Sequence, residues 1–361
     1  MLESRKSKRI RIDQDSIKDT SLNKKSNLYF IDEIDTYYFE DSASDFINYI
    51  HFDENIVNSD FQRNFVWTER QKSRFIESII LRIPVPPFYL LEDINGELIV
   101  IDGLQRIVTL KKFISGEFRL KELEVLPELN GLFFNNLEQR IKNRIIYTRL
   151  AAHVIPPDVP DRVKLDIFER LNTGGTKLSR QELRNCVWNG PATRFLNELA
   201  DNIEFKKVIN NRISTRRMKD REYILHFLAF YYQGVDKYRS PMSDFLDKCL
   251  KKLNEEKQNI FDELKVAFLN SMQSSRFIFG KDVFTFPEDS NKINISLFEV
   301  VSYYMADTQL NELDKKQEEI GKNYNKLLSN KEFTRVIMKN ATTRQNVKLR
   351  FSLGKKIMEG V

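Results

Sequence analysis

The chain has 361 residues, of which 41% are hydrophobic and 30% are Asp, Glu, Lys or Arg. That is enough apolar content for a sizeable core, and the length suggests two domains with a well-solvated surface. The formal net charge of +6 permits contact with nucleic acid without requiring it, and no apolar run reaches the ~18 residues of a membrane-spanning helix.

Residues 1–27 are polar and rich in Lys, Arg, Ser and Asp, so a mobile tail is expected there. The tail has no apolar stretch of the signal-peptide kind. Cys186 and Cys249 are far apart and form neither a disulfide framework nor a zinc-ligand pattern, which points to a reducing cytoplasm. His51, His153 and His226 are dispersed, which argues against a histidine-rich metal site or a self-contained HNH-type nuclease.

The segment FQRNFVW at 61–67 sets Gln62 and Arg63 in an aromatic frame. It reads as an edge strand with a stacked arginine, or as a phosphate or base contact. A helix is predicted from Thr68, with Phe75, Ile76, Ile79, Ile80 and Ile83 on one face. Thr68 and Gln71 have the spacing of a capping box. PVPP at 84–87 then forces extended backbone. FYLLE and ELIVI follow as strands around DING, whose Asn-Gly signals a hairpin turn. After Asp102-Gly103 the apolar residues Ile107, Leu110, Phe113 and Ile114 return to helical spacing, with Gly116 as the stop.

NRIIYTRLAAHVIPP reads as a further strand and DRVKLDIFERL as a helix. Asn172, Thr173, Gly174 and Gly175 then form either a helix cap and loop or an amide cradle for an anion. Ser179 and Glu182 make a second capping box. Helical patterns dominate from about 206 onward. The fold class expected is α+β, a small mixed sheet with helices, followed by an all-helical C-terminal domain. The boundaries drawn are 1–27 for the tail, 28–205 for the α+β domain and 206–361 for the helical domain.

The junction LIVIDGLQRIVTL carries the most chemistry. A strand delivers the chain to Asp102, and a helix follows almost at once. Gly103 allows close approach or positive φ. A helix N-terminus exposes unpaired amides and partial positive charge, and Arg106 adds a fork suited to phosphate. Asp102 could hold a metal or orient a water. On spacing alone the plainer reading is stronger, with Asp102 as an N-cap and Asp-Gly as a common turn. Two basic clusters stand apart from the junction. Arg216 and Arg217 lie in NNRISTRRMKDR, and Arg344, Lys348 and Arg350 lie in a C-terminal segment, 335–356, that has no acid. They read as DNA contacts or as solvated faces. Pro157-Asp158 with Glu204 and Lys206 imitates a nuclease pattern only at a chance level.

Taken together, FQRNFVW, FIESIILRIPVPPFYLLE, VIDGLQR and IFERLNTGG with KLSRQELRN resemble the N-terminal domain of GmrS/GmrD-type type IV restriction proteins, in the ParB/sulfiredoxin-like superfamily. The resemblance spans about 58–202. It implies a ParB/sulfiredoxin-like sheet, a DGQQR motif, binding and hydrolysis of a nucleoside triphosphate (GTP or ATP) with Mg²⁺, and defence against foreign DNA. Asp102, Gly103, Gln105 and Arg106 match the motif by position, and Leu104 stands where the family has its first Gln. On this resemblance Asp102 and Gln105 are the catalytic candidates, with Asp102 on the metal. Gly103, Arg106, Gln62, Arg63 and 172–175 would bind nucleotide. A short stand-alone member is expected, with DNA and a nuclease partner chain as partners, no membrane, and self-association left open. The competing readings are a ParB-like endonuclease or nickase in the same cleft, and a non-enzymatic DNA-binding adaptor.

Overall fold

The computed structural model describes residues 36–50, 67–93, 95–171, 179–308 and 310–359. The fold is α+β, with a four-stranded mixed sheet and a helical C-terminal region. The chain divides at Lys177/Leu178 into two compact units, so residues 178–205 belong with the helical part rather than with the sheet.

In the first unit β1 (Tyr37–Ser42), β2 (Phe88–Glu92), β3 (Leu98–Asp102) and β4 (Arg149–Ile155) are ordered β1-β4-β2-β3. The β2–β3 and β1–β4 pairs are antiparallel, and β2–β4 is parallel. The connection between β2 and β3 carries Gly96 at φ +81°, as the Asn-Gly signal requires. Asp93 closes it by accepting from the Asn95 and Glu97 amides at 2.9 and 2.8 Å.

Helix α1 (Ala43–Tyr49) follows β1, and α2 (Glu69–Ile80) opens with the expected capping box. Thr68 Oγ1 accepts from the Gln71 amide at 3.2 Å, and Gln71 Oε1 accepts from the Thr68 amide at 2.8 Å. Helix α3 (Leu104–Ile114) ends before Gly116, which has φ +77°. One face of each helix covers the sheet. Phe46, Ile76, Ile79, Ile107, Leu110 and Phe113 meet Leu90, Leu150, Ala152 and Val154 in one buried cluster. Each of these Phe, Ile, Leu and Val side chains contributes about 1.5–3 kcal/mol by leaving water.

Residues 139–146, partly included in the strand expected over 143–155, form helix α4 (Gln139–Ile146), and only Arg149–Ile155 is extended. Ile141 and Ile145, four apart, pack on the core as a helix face, which overrides the β-branched composition. Helix α5 (Asp161–Leu171) closes the described part of this unit.

The second unit contains α6 (Arg180–Val187), α7 (Pro191–Asp201), α8 (Ile203–Ile209), α9 (Lys219–Gln233), α10 (Met242–Asn254), α11 (Gln258–Phe279), α12 (Ile295–Met305), α13 (Leu310–Ser329), α14 (Lys331–Met338) and α15 (Arg344–Met358). Ser179 and Glu182 cap α6 as expected. From Tyr223 to Phe230 every residue of α9 but one is apolar and all are buried, so α9 is the unit's central helix. Among the described residues no helix is long and apolar enough to cross a membrane.

Candidate functional site

Asp102 is the last residue of β3, and Gly103 is the residue that opens α3. The expectation that Asp102 caps the helix is therefore corrected. Gly103 takes that position with φ +99° and ψ 6°, and no side chain caps the helix. A Cβ on Gly103 would sit 2.3 Å from Phe88 Cδ1 and 3.0 Å from Arg106 Nη2. Glycine is needed there both for its backbone conformation and for space. The first turn of α3 contains no acidic residue. Its partial positive charge is thus not offset by a side chain within the turn.

Arg106 lies one helical turn on and points back across the bend. Its Nη2 donates to Asp102 Oδ2 at 2.9 Å and to the Pro87 carbonyl at 3.4 Å, and Nη1 donates to the Pro86 carbonyl. The guanidinium carbon lies 4.5 Å from the centre of the Phe88 ring. The PVPP segment leaves these carbonyls out of any ladder, and the planar fork of arginine satisfies two of them at once. Burial lowers the Arg106 pKa, against the opposing influence of Asp102. The Arg106 side chain is 13% exposed and that of Asp102 is 44% exposed, so the carboxylate is the more open member of the pair and the guanidinium is reached only at its edge.

The register extends this site across the sheet. Asp102 is opposite Tyr89, Tyr89 is beside His153, and His153 is opposite Tyr38. Tyr89 and His153 stack at 5.3 Å with 21° between ring planes, and Tyr38 and His153 meet at 5.4 Å. Sequence reasoning missed this aromatic row. The available signal was the alternation in FYLLE, which sends Tyr89 to the face opposite Phe88 and Leu90.

Gln105 is half-buried in the first turn of α3. Gln62, Arg63, Asn172, Thr173, Gly174 and Gly175 lie outside the described residues. Among the described residues no three His, Cys, Asp or Glu converge as a metal-ligand group. A lone half-exposed carboxylate suits Mg²⁺ held mainly by a ligand's own phosphates and by water, which is the usual way that ion is bound.

Residues 43–188 match the family model described as the GmrSD restriction endonuclease N-terminal domain. This segment is therefore similar to the GmrSD-type N-terminal domain. No curated protein and no solved structure matches the chain significantly. The Asp102–Arg106 turn and the aromatic row lie inside the GmrSD-type segment, apart from Tyr38 just ahead of it.

The basic clusters named from sequence lie beyond it. Arg344 and Lys348 are exposed on α15, and Lys348 pairs with Asp236 at 3.3 Å. Arg350 is corrected as a DNA contact, because it is 1% exposed. It donates to Glu299, to the Ala341 carbonyl and to Ser296 Oγ. Glu299 also bonds His226 Nδ1, so Arg350 belongs to a buried ionic cluster. Arg217 is exposed and in left-handed backbone at φ +59°, beside a cleft that Ser179, Arg180 and Lys219 help to line. The side chain of Arg216 lies outside the described residues.

Proposed function

We propose that the GmrSD-type domain binds a nucleoside triphosphate at the β3–α3 turn and serves as the sensor or regulatory part of a restriction-type, phage-defence system acting on DNA. The observation that carries this reading is the start of α3 behind Gly103, which has no side-chain cap and no acid in its first turn, with Asp102 and Arg106 paired beside it. Backbone amides at such an end accept phosphate oxygens.

Arg106 plays two parts. Its bonds to the Pro86 and Pro87 carbonyls fix the turn. Its bond to Asp102 is the one a phosphate oxygen competes for, because both acceptors are anionic and suit the same fork. When Nη2 shifts to phosphate, Asp102 is free for Mg²⁺, whose charge would offset that of the phosphate oxygens. Tyr89 and His153 offer a stacked aromatic surface for the base. Gln105 supplies a polar contact or orients a water. Leu104, apolar where the family has glutamine, favours binding over turnover. DNA cleavage would then fall to a nuclease partner chain.

Isothermal titration with ATP and GTP, with and without Mg²⁺, tests this reading. The expected result is saturable, Mg²⁺-strengthened binding of at least one nucleotide, lost in Arg106→Ala under conditions where circular dichroism shows that variant folded. Binding of neither nucleotide, or binding indifferent to Arg106, overturns it.

A further inference from the structure

The first unit holds a second cleft of about 790 Å³, at the end of α2 and along α4 and the start of β4. Four of its lining residues are arginines, Arg82, Arg140, Arg144 and Arg149, and none is a carboxylate. Arg140 and Arg144 are four apart on α4 and so share one helix face. Arg149 opens β4, and Arg82 stands in left-handed backbone at φ +61° between α2 and PVPP. Arg144 Nη1 donates to the Ile80 carbonyl at the end of α2, at 3.3 Å. The guanidinium groups of Arg82, Arg140 and Arg149 are exposed and make no ion pair or hydrogen bond with the described residues. Tyr147, 69% exposed, and Ile83, 52% exposed, line the same cleft.

Several exposed cations of this chain have a local acid. Arg70 has Glu122 and Glu124, Lys207 has Glu204, and Lys348 has Asp236. The four-arginine cleft has none among its lining residues, so its like charges repel without internal compensation. Such an arrangement is costly in the free protein and is relieved by a polyanion that brings several charges at regular spacing. Arginine forks match phosphate oxygens, and an exposed tyrosine among them suits sugar and base surfaces.

We propose that this cleft is the surface on which the GmrSD-type domain receives the phosphodiester backbone of DNA, separate from the nucleotide turn. The inference rests on the restriction-type reading only for the choice of DNA as the polyanion. The sequence sets Arg140, Arg144 and Arg149 within ten residues of one another, and the fold adds Arg82 and places all four along one cleft.

The test is fluorescence anisotropy of the full chain with a labelled DNA duplex, from about 50 to about 200 mM NaCl. The comparison is between wild type, Arg140→Gln/Arg149→Gln and Arg344→Gln/Lys348→Gln. Arg140 and Arg149 are exposed and hold nothing in place, so their variant should fold, which circular dichroism checks. The cleft variant should lose at least about tenfold in affinity and flatten the salt slope by about 1.8, or about 0.9 for each phosphate no longer neutralised. The α15 variant should stay within about twofold of wild type. Absence of DNA binding by wild type, or a cleft variant that binds like wild type, overturns the proposal. So does binding carried by the α15 pair instead. Titration of ATP or GTP into the cleft variant separates the two sites. Nucleotide binding unchanged there leaves the turn untouched, whereas nucleotide binding abolished with DNA binding kept makes the cleft a nucleotide site and also overturns the proposal.

Discussion

Arg106 reaches back one helical turn to Asp102, 2.9 Å away, while its other bonds hold the carbonyls of Pro86 and Pro87. One side chain thus ties the end of β3, the start of α3 and the approach to β2. Lysine keeps the charge but cannot reach three acceptors in one plane. Arg106→Lys is expected to cost about 1.5–3 kcal/mol in urea unfolding, the range for hydrogen bonds to a charged group. It should also weaken nucleotide binding. A midpoint equal to wild type would show that the fork is dispensable.

Gly103→Ala is expected to be worse. The added Cβ meets Phe88 Cδ1 at 2.3 Å, in a ring that is itself buried and cannot swing away. The backbone at φ +99° adds strain for any residue with a Cβ. A loss of about 2–4 kcal/mol is expected from the two effects together. Thermal unfolding measures it, and a loss below about 0.5 kcal/mol, the scale of a neutral surface change, would contradict the geometry.

What was legible in the sequence was local. The capping boxes at Thr68–Gln71 and Ser179–Glu182, the stop at Gly116 and the turn at Asp102-Gly103 all depend on residues within a few positions of one another. What was not legible depends on distant partners. Arg350 looked like a surface cation because its own segment has no acid, and its acid, Glu299, comes from another helix. Arg106 read as a fork open to phosphate because two of its three acceptors are backbone carbonyls about twenty residues upstream, which carry no sequence signature. The aromatic row needs strand order, which periodicity does not contain.

The buried cluster of His226, Glu299 and Arg350 yields a sharper stability test. Glu299 and Arg350 are each 1% exposed in their side chains. Removing one partner strands the other charge away from water. Glu299→Ala is therefore expected to cost about 3–5 kcal/mol. The paired change Glu299→Leu/Arg350→Met should cost much less than the sum of the single changes, since it removes both charges. A double-mutant cycle in urea reads the coupling directly, and additive losses would show that the two groups do not depend on each other.

Alkaline pH should destabilise the helical unit over a range that begins below ordinary lysine titration. Burial pushes the Tyr223 phenol up to about 12, with Glu222 and Glu299 adding to the effect, and burial also raises the Cys249 thiol. Both groups bind their protons more tightly when folded. Their contribution is fully present below the unfolded values, about 8.5 for the thiol and about 10 for the phenol. It is lost as pH rises through the interval between unfolded and folded values. Above the unfolded value each pH unit costs about 1.4 kcal/mol per group. The urea midpoint should fall steadily between about pH 8.5 and about pH 11. A flat profile would mean that these groups ionise in place or become exposed without unfolding.

Leu104 offers the most direct test of the division between binding and turnover. It is the first residue of α3, half-buried, and its side chain is not part of the Asp102–Arg106 contact. Leu104→Gln supplies the glutamine that the family resemblance implies, at a position where leucine and glutamine have similar helix propensity, so stability should change by less than about 0.5 kcal/mol. If the turn binds nucleotide through backbone amides and Arg106, the affinity should stay within about threefold of wild type, a difference under about 0.7 kcal/mol. If the missing amide is what orients a water or the metal's shell, phosphate release should rise at least about tenfold, because a single oriented polar group can lower a barrier by that amount. Phosphate release by both proteins, measured at saturating ATP and GTP with Mg²⁺, decides it. Unchanged release with unchanged affinity would show that Leu104 does not limit hydrolysis. A large change in affinity alone would instead make position 104 a contact to the nucleotide itself.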